Sequence, residues 1–485
     1  MKAVVIGAGI IGGSVAWRLA REGVEVTILE KGRAGQEASW AAAGMIAPQA
    51  EAQGPGPFFD LCIKARDVFA ATVDTLRAES GIDPEYDDAG ILYVAFDKGE
   101  QEELAERARW QMTAPGAAVE ELSGDEARKR EPGLSSEVIY AAYLPKDRRT
   151  DNRKLTQAYL AAAQAKGATL REGTSVEQIV TQGNKAIGVR LSDGTEIAAD
   201  VIINASGAWS RSVRGVEADA IATYPVRGQM LCFEGLKPLH GPSIFSLHGY
   251  IVPRRDGRLI VGSTMEEAGY NRQVTLGGIE KIARGGMKMM PSLAGLPMTD
   301  SWSGLRPATK DFLPIIGPSP SVRNFFYAVG HFRSGILLSA LTGELIADLI
   351  GGRPPAIDLK AFAPDRFMAT TKSTVLGLVR DILFRSKIDA AAQVLGIEVA
   401  YASTVEQAAK RCAELKPSSV FVDLSDANFP VEATVKAVKD GNAQTKLVGF
   451  ASHVDLKPLA SAKASGFDKT LSRAEFTAKL PELLK

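Results

Sequence analysis

Three glycines near the start of the chain, Gly7, Gly9 and Gly12, stand at the spacing of a loop that cradles a pyrophosphate. Each has its own task. Gly7 permits the tight turn, Gly9 lets backbone approach the phosphates, and Gly12 lets a helix pack closely against a strand. Glu30 follows 18 residues after Gly12, where a carboxylate accepts from ribose hydroxyls. An acid there favours an unphosphorylated adenosine ribose and disfavours NADP. The elements that must position these groups are in register. Lys2–Ile6 reads as a buried parallel strand, Gly13–Glu22 as a helix with Ala16, Leu19 and Ala20 on one face, and Val24–Leu29 as a second strand ending in Glu30. Such a unit binds a dinucleotide, with the helix N-terminus offering N–H groups and partial positive charge to the phosphates.

Three later features favour FAD over NAD. The small-residue run Ser39–Met45 lets backbone lie against an extended cofactor. A buried strand, Val201–Asn204, runs into Ala205-Ser206-Gly207, a second backbone approach. A third strand, Phe325–Val329, passes through the turn Gly330–Gly335 into a helix, Ile336–Ile350, so that a second helix N-terminus reaches the cofactor. A nicotinamide enzyme has no need of this third piece so late in the chain. Antiparallel strands are expected at Tyr250–Arg254 and Arg258–Gly262, joined by Arg255-Asp256-Gly257, and a helix at Leu155–Lys166.

Composition sets bounds on the rest. The 485 residues suffice for two or three domains. Lys+Arg and Asp+Glu are both 57, which speaks against a nucleic-acid partner. Cys62, Cys232 and Cys412 lie far apart without CxxC spacing, so neither a metal site nor a disulfide framework is expected, and the expected location is the cytoplasm. The Val4–Ile11 run is too short and too glycine-rich for a signal peptide, and Ile336–Ile350 is broken by Glu344 and Asp348, so no membrane span is expected.

Residues 1 to about 368 resemble the glycine oxidase branch, of the thiamine-pathway type, of the FAD-dependent D-amino-acid oxidase family. The blocks that carry the resemblance are VVIGAGIIGGSVAWRLA (4–20), AAAGMIAPQAE (41–51), GYIVPRRDGRLIVGSTM (249–265), WSGLRPATKDFLPIIG (302–317) and GHFRSGILLSALTGELIADLI (330–350). The first block is shared by many flavoproteins; the last three are specific to the glycine and sarcosine oxidase branch. The resemblance implies hydride transfer from the substrate α-carbon to the flavin, with no protein residue required as general base. It implies that Arg306 clamps the substrate carboxylate, that the Tyr250 hydroxyl also reaches it, and that Arg333 lies beside flavin and substrate. Met45 and Met265 would line the pocket, and His248 its mouth. It places FAD along Gly7, Gly9, Ile11, Gly12, Glu30 and Lys31, then along Ser39, Ala42, Ala43, Gly44 and Met45. Further contacts are implied at Val176, Ser206, Gly207, Trp209 and Gly304, and in the last turn at His331, Phe332, Arg333, Ser334, Gly335 and Ile336. Covalent members of the sarcosine branch attach flavin through a cysteine near the position of Arg306; none stands there, so FAD is expected noncovalently. Trp40 departs from the family's small hydroxyl residues and is expected to alter how the flavin or the entrance is covered.

The implied fold class is α/β: a Rossmann-type FAD-binding domain (1–85, 150–215 and 310–370) interleaved with an antiparallel-sheet substrate domain (86–149 and 216–309). Residues 378–485 alternate short strands and helices, including Ile382–Phe384, Ile397–Ala402, Val420–Leu424, Lys446–Phe450 and Phe467–Leu471 as strands. This order resembles a response-regulator receiver, a flavodoxin-like doubly wound domain. Asp423 stands where a phosphoacceptor would, Ser452 where a receiver has Ser or Thr, and Arg473 nearest the expected lysine. The acidic pair expected after the first strand is missing, which implies a degenerate module used for oligomer formation or docking to a protein partner. The implied activity is oxidative deamination of glycine, sarcosine or small D-amino acids by O₂, with the imine supplied to thiazole synthesis as one role. A dehydrogenase with another electron acceptor and a flavin-bound regulatory protein are the alternatives.

Overall fold

The computed structural model describes residues 1–52, 54–219, 221, 223–235, 241–367, 374–395, 397–451 and 456–484. In it, Lys2–Ile6 pairs in parallel with Glu25–Leu29 on one side and Val201–Asn204 on the other. The apolar residues of these strands are nearly all buried, as expected for a parallel sheet covered on both faces. The complete six-stranded sheet runs in the order Ile315–Pro318, Phe325–Val329, Val201–Asn204, Lys2–Ile6, Glu25–Leu29, Thr169–Arg171. Segments far apart in sequence thus bring their strand ends to one edge.

Helices Ile10–Arg21, Pro57–Ser80, Asn152–Ala165 and Gly335–Ile350 share one buried cluster with these strands, centred on residues such as Trp17, Phe69 and Tyr159. Ile10–Arg21 and Gly335–Ile350 touch directly: Ser14 Oγ donates to Ser339 O at 2.7 Å. This locks the two helix N-termini relative to each other, which matters because both reach the site below.

A second sheet of eight strands runs Met298–Ala308, Tyr224–Glu234, Arg258–Gly262, Gly249–Pro253, Ser243–Ser246, Ile91–Ala95, Tyr140–Leu144, Glu120–Ser123. Its pairs are antiparallel except Ser243–Ser246 with Ile91–Ala95. Helix Leu276–Met289 packs on this sheet through Ile282 and Met289. Among the described residues no helix is long and apolar enough to cross a membrane.

The Ala47–Glu51 segment is pinned from beneath by Asp147, which is fully buried and accepts from the Ala50 N–H at 2.9 Å and the Gln49 N–H at 3.2 Å. Burial pushes this carboxyl up to about 7 despite those hydrogen bonds and the nearby Arg66. Because the folded value lies above the unfolded one, the folded state binds the proton more tightly, and stability falls as pH rises from about 4 to about 7. Asp147→Asn is therefore expected to flatten the profile. Between pH 5 and pH 8 the wild type should lose roughly 2 kcal/mol more than the variant in urea unfolding; parallel profiles would show that the carboxyl is not held protonated.

Residues 369–485 form a separate compact unit. Among its described residues five strands, all parallel, run in the order Glu398–Tyr401, Thr374–Leu378, Ser419–Asp423, Lys446–Ala451, Lys469–Ser472. Numbered within the unit this is 2-1-3-4-5, the flavodoxin-like doubly wound order. One sequence expectation is corrected. Ile382–Phe384 is not the first strand but the start of helix Ile382–Leu395, and the first strand is Thr374–Leu378. Val379-Arg380-Asp381 follows that strand. At the ends of the strands Arg473 Nη2 lies 2.9 Å from Asp423 Oδ2, so the carboxylate expected as a phosphoacceptor is held in an ion pair. Ser452 lies outside the described residues.

Candidate active site

The carboxyl ends of the parallel strands open on a cavity of 380 Å³, the place where doubly wound sheets bind ligands. Ile6, Leu29, Ala205 and Val329 line its floor, each at or just beyond a strand end. Gly9 and Ile11 at one helix start, and Ser334, Gly335 and Ile336 at the other, also face it. Neither helix has a side-chain cap at its N-cap residue, so amide donors remain for an anion or a polarised carbonyl. Ser39 Oγ accepts the Ile10 N–H at 2.9 Å, tying the small-residue run to the first helix.

The turn geometry fits a dinucleotide. Gly7 has φ +101°, and a Cβ there would stand 2.7 Å from Ala205 O. A Cβ on Gly12 would lie 1.9 Å from Gly7 O. Gly12 does not line the cavity; it lets the helix sit close enough to aim its amides there. Glu30 Oε2 accepts the Ala8 N–H and Oε1 the Gly32 N–H, both at 2.9 Å, which fixes the carboxylate with lone pairs left for ribose hydroxyls. Lys31 rests its ammonium 3.2 Å from the Trp209 ring centroid, and burial lowers its pKa. Ala42, Ala43, Gly44, Val176, Ser206, Gly207 and Gly304 line the same cavity. These donors, the acid and the narrow backbone approaches suit an extended dinucleotide such as FAD.

At the other end stand Met45, Tyr250, Arg306 and Arg333. Arg306 projects from Met298–Ala308 and donates from Nη2 to Ser263 Oγ at 2.8 Å and from Nη1 to Thr264 O at 3.1 Å. Burial pulls its pKa below the ordinary value, with neighbouring Tyr250 opposing the shift. Tyr250 is buried against Phe245, and its hydroxyl donates to Met230 Sδ at 3.4 Å. Arg333 follows Phe332, whose φ is +45°, and its Nη2 lies 2.8 Å from Glu51, whose charge raises the Arg333 pKa. His331 is buried beside them, its Nε2 3.0 Å from Thr342 Oγ1, and burial pushes it down to about 3, so the imidazole is neutral at any working pH.

Two of the expected pocket residues stand beside this group and not in the groove itself. His248 and Met265 line an adjoining open cavity, which shares Tyr250, Ser263, Arg306 and Arg333 with the first. Met265 is 57% exposed. Trp40 is not in the lining of either cavity. It packs edge-on against Trp302 with the Arg153 guanidinium 3.6 Å from its ring centroid, so its bulk is absorbed beside the site and does not cover it. Sequence reasoning missed Glu51, Ser263, Met230 and Gly228. Glu51 and Ser263 both lie inside quoted blocks, 41–51 and 249–265, which was their available signal; Met230 and Gly228 gave none.

Gly228 has a measurable consequence. It pairs with Gly304 on the neighbouring strand, and a Cβ there would lie 2.1 Å from Arg306 Nη1. The guanidinium is the far end of a flexible side chain, so it would yield and the backbone would not. Gly228→Ala is expected to raise KM about 10- to 100-fold, as misplaced positioning groups do, with a melting temperature within a few degrees of wild type. An unchanged KM would mean that Arg306 is free to turn without loss.

The family described as FAD dependent oxidoreductase matches residues 2–349. The chain is 36% identical to the glycine oxidase of Bacillus licheniformis over 367 residues, covering 75% of this chain and 96% of that protein. It is 35% identical to the bifunctional protein ThiO/ThiG of a Synechocystis species, over 77% of this chain and 55% of the larger protein. The crystal structure of glycine oxidase from Geobacillus kaustophilus superposes with a TM-score of 0.72 at 33% identity, over 75% of this chain and 98% of that one. A family match over residues 2–349 and relatives this similar over nearly their whole length show that the chain belongs to the FAD-dependent oxidoreductase family, beside the glycine oxidases.

Proposed function

We propose that this enzyme oxidises glycine, and with it sarcosine and small D-amino acids, to the imine, which water converts to the 2-oxo acid and ammonia or methylamine. The observation that carries the reading is a guanidinium fork, Arg306, oriented by Ser263 and Thr264 at one end of the groove that fits FAD. When bound, FAD would supply the hydride acceptor and the route by which the electron pair reaches O₂ to give hydrogen peroxide. The chain's own residues hold and orient. Arg306 takes the substrate carboxylate in a two-pronged charge-assisted pair, and the Tyr250 hydroxyl adds a donor beside it. Arg333, restrained by Glu51, closes the same end. The amine enters deprotonated, and its lone pair forms the C=N bond as the α-carbon hydride leaves, so no residue need remove a proton from carbon.

Anaerobic addition of glycine, sarcosine and D-alanine to the purified yellow protein, followed by air and a peroxide assay, tests this. Bleaching with peroxide supports an oxidase; bleaching without peroxide makes it a dehydrogenase; no bleaching removes small amino acids as substrates. The flavin part is assigned to residues 1–85, 150–215 and 310–370, and the substrate part to 86–149 and 216–309. Kinship with a ThiO/ThiG protein favours a role in supplying the imine for thiazole formation in thiamine synthesis, and growth of a deletion strain without thiamine would count against it. The three described cysteines are free and buried, which suits a reduced cytoplasmic protein. The unit from residue 369 onward is assigned, as a degenerate receiver-like module, to oligomer formation or partner docking, because Asp423 is already paired with Arg473.

A further inference from the structure

The adjoining cavity is far larger than a two-carbon substrate requires. It measures 550 Å³ and meets the flavin groove at Tyr250, Ser263, Arg306 and Arg333. One wall is aromatic, with the rings of Tyr93 and Phe245 5.0 Å apart and those of Phe245 and Tyr250 5.7 Å apart. Helix Leu276–Met289 also contributes to the lining. Lys281, Arg284 and Lys288 recur on it at spacings of three and four residues, which places them on one face, and all three line the cavity. The helix is seated closely: a Cβ on Gly285 would lie 2.4 Å from His248 O.

Among the described residues the lining carries five permanent cations, Lys281, Arg284, Lys288, Arg306 and Arg333, against one carboxylate, Glu280. Glu280 is taken by Arg284, and Arg333 by Glu51. Lys281 forms no ion pair among the described residues. Lys288 Nζ lies 2.7 Å from His248 Nε2, whose other neighbour is Glu100 Oε1 at 2.9 Å. The α-carboxylate of the substrate would answer Arg306. Nothing in glycine answers Lys281 or Lys288.

We propose that this cavity is a subsite for a second anionic group, and that small amino acids bearing one on the nitrogen or the side chain are preferred over their neutral isosteres. This rests on the oxidase reading above, in which Arg306 holds the α-carboxylate. A cleft walled by one sign of charge concentrates ligands of the other, and partial enclosure strengthens the attraction beyond its value in open water.

The test compares kcat/KM for iminodiacetate with N-ethylglycine and for D-aspartate with D-asparagine, using the flavin-loaded enzyme. At least one anionic compound should exceed its neutral partner by about tenfold at low salt, and the ratio should fall as salt is raised. In the Lys281→Glu/Lys288→Glu variant the same ratio should drop at least tenfold, with glycine-driven bleaching as the control for a competent fold; should the variant fail to fold, the salt dependence in the wild type decides. Glycine oxidation with both ratios at or below one, or a ratio indifferent to salt and to charge reversal, overturns the subsite and leaves the oxidase reading standing. Failure of glycine itself to bleach the flavin defeats both.

Discussion

Arg306→Ala is expected to lower kcat/KM for glycine by roughly 30- to 5,000-fold, the equivalent of about 2–5 kcal/mol for losing one partner of a hydrogen-bonded charge pair. Nearly all of the loss should appear as weaker substrate binding. The guanidinium is oriented before substrate arrives, with two of its donors spent on Ser263 Oγ and Thr264 O, so the remaining face of the fork is presented without further ordering cost. The half-buried guanidinium forms no ion pair among the described residues, and burial lowers its pKa against the opposing effects of Tyr250 and Glu51. Two consequences separate a clamp from a structural arginine. Flavin content should be unchanged, because Arg306 stands at the substrate end. The melting temperature should hold or rise, because a desolvated charge has been removed. Arg306→Lys should recover only part of the affinity, since an ammonium keeps the charge and loses the two-pronged geometry. A variant that keeps kcat/KM within threefold, or one that loses flavin and activity together, would mean that the carboxylate is held elsewhere.

What the sequence exposes and what it hides divide along a physical line. The glycine turn was legible because three spaced glycines, a strand and an acid must coincide within thirty residues. The hairpin at Arg255-Asp256-Gly257 was legible from its turn residues, and it joins Gly249–Pro253 to Arg258–Gly262. Local chemistry misled at Ile382–Phe384, where a short apolar run suits a buried strand as well as a helix start; the true strand, Thr374–Leu378, lay just upstream with a glycine in it. The 24-residue helix Pro57–Ser80 was passed over although Pro57 at its start and left-handed Gly81 at its end mark it. At the site, Arg306, Tyr250 and Arg333 came from resemblance, whereas their supports are long-range. Glu51 meets Arg333 across 282 residues, and Ser263 meets Arg306 across 43. Gly228 faces Arg306 only because two strands pair in one register. Such partners depend on topology, which no local pattern records.

Gly12→Ala is expected to yield protein with little or no bound flavin. The added Cβ would stand 1.9 Å from Gly7 O and 3.0 Å from Gly7 C, with Val5 Cγ1 behind at 3.4 Å. The first two are backbone atoms of the turn itself, so no side chain can give way. Either the turn opens or helix Ile10–Arg21 withdraws from the strand, and both moves carry the helix amides away from a bound pyrophosphate. Withdrawal also breaks the close seating in which Ser14 bonds to Ser339 O, so the second helix start is disturbed with the first. Overpacking of this kind costs about 1–3 kcal/mol in the protein alone. The loss with cofactor present should be larger, because the wild type gains stability from every ligand that binds only the folded state. The measurement is the melting temperature of stripped protein with and without added FAD: a clear rise for the wild type, almost none for the variant. Gly23→Ala supplies the control, since Gly23 has φ +79° but nothing within 4 Å of its Cβ position; it should lower stability through backbone strain alone and keep its full response to FAD. A Gly12→Ala protein that purifies fully yellow would show that the helix can retreat without leaving the phosphates, and the cradle would then have to be sought at the Gly330–Gly335 turn.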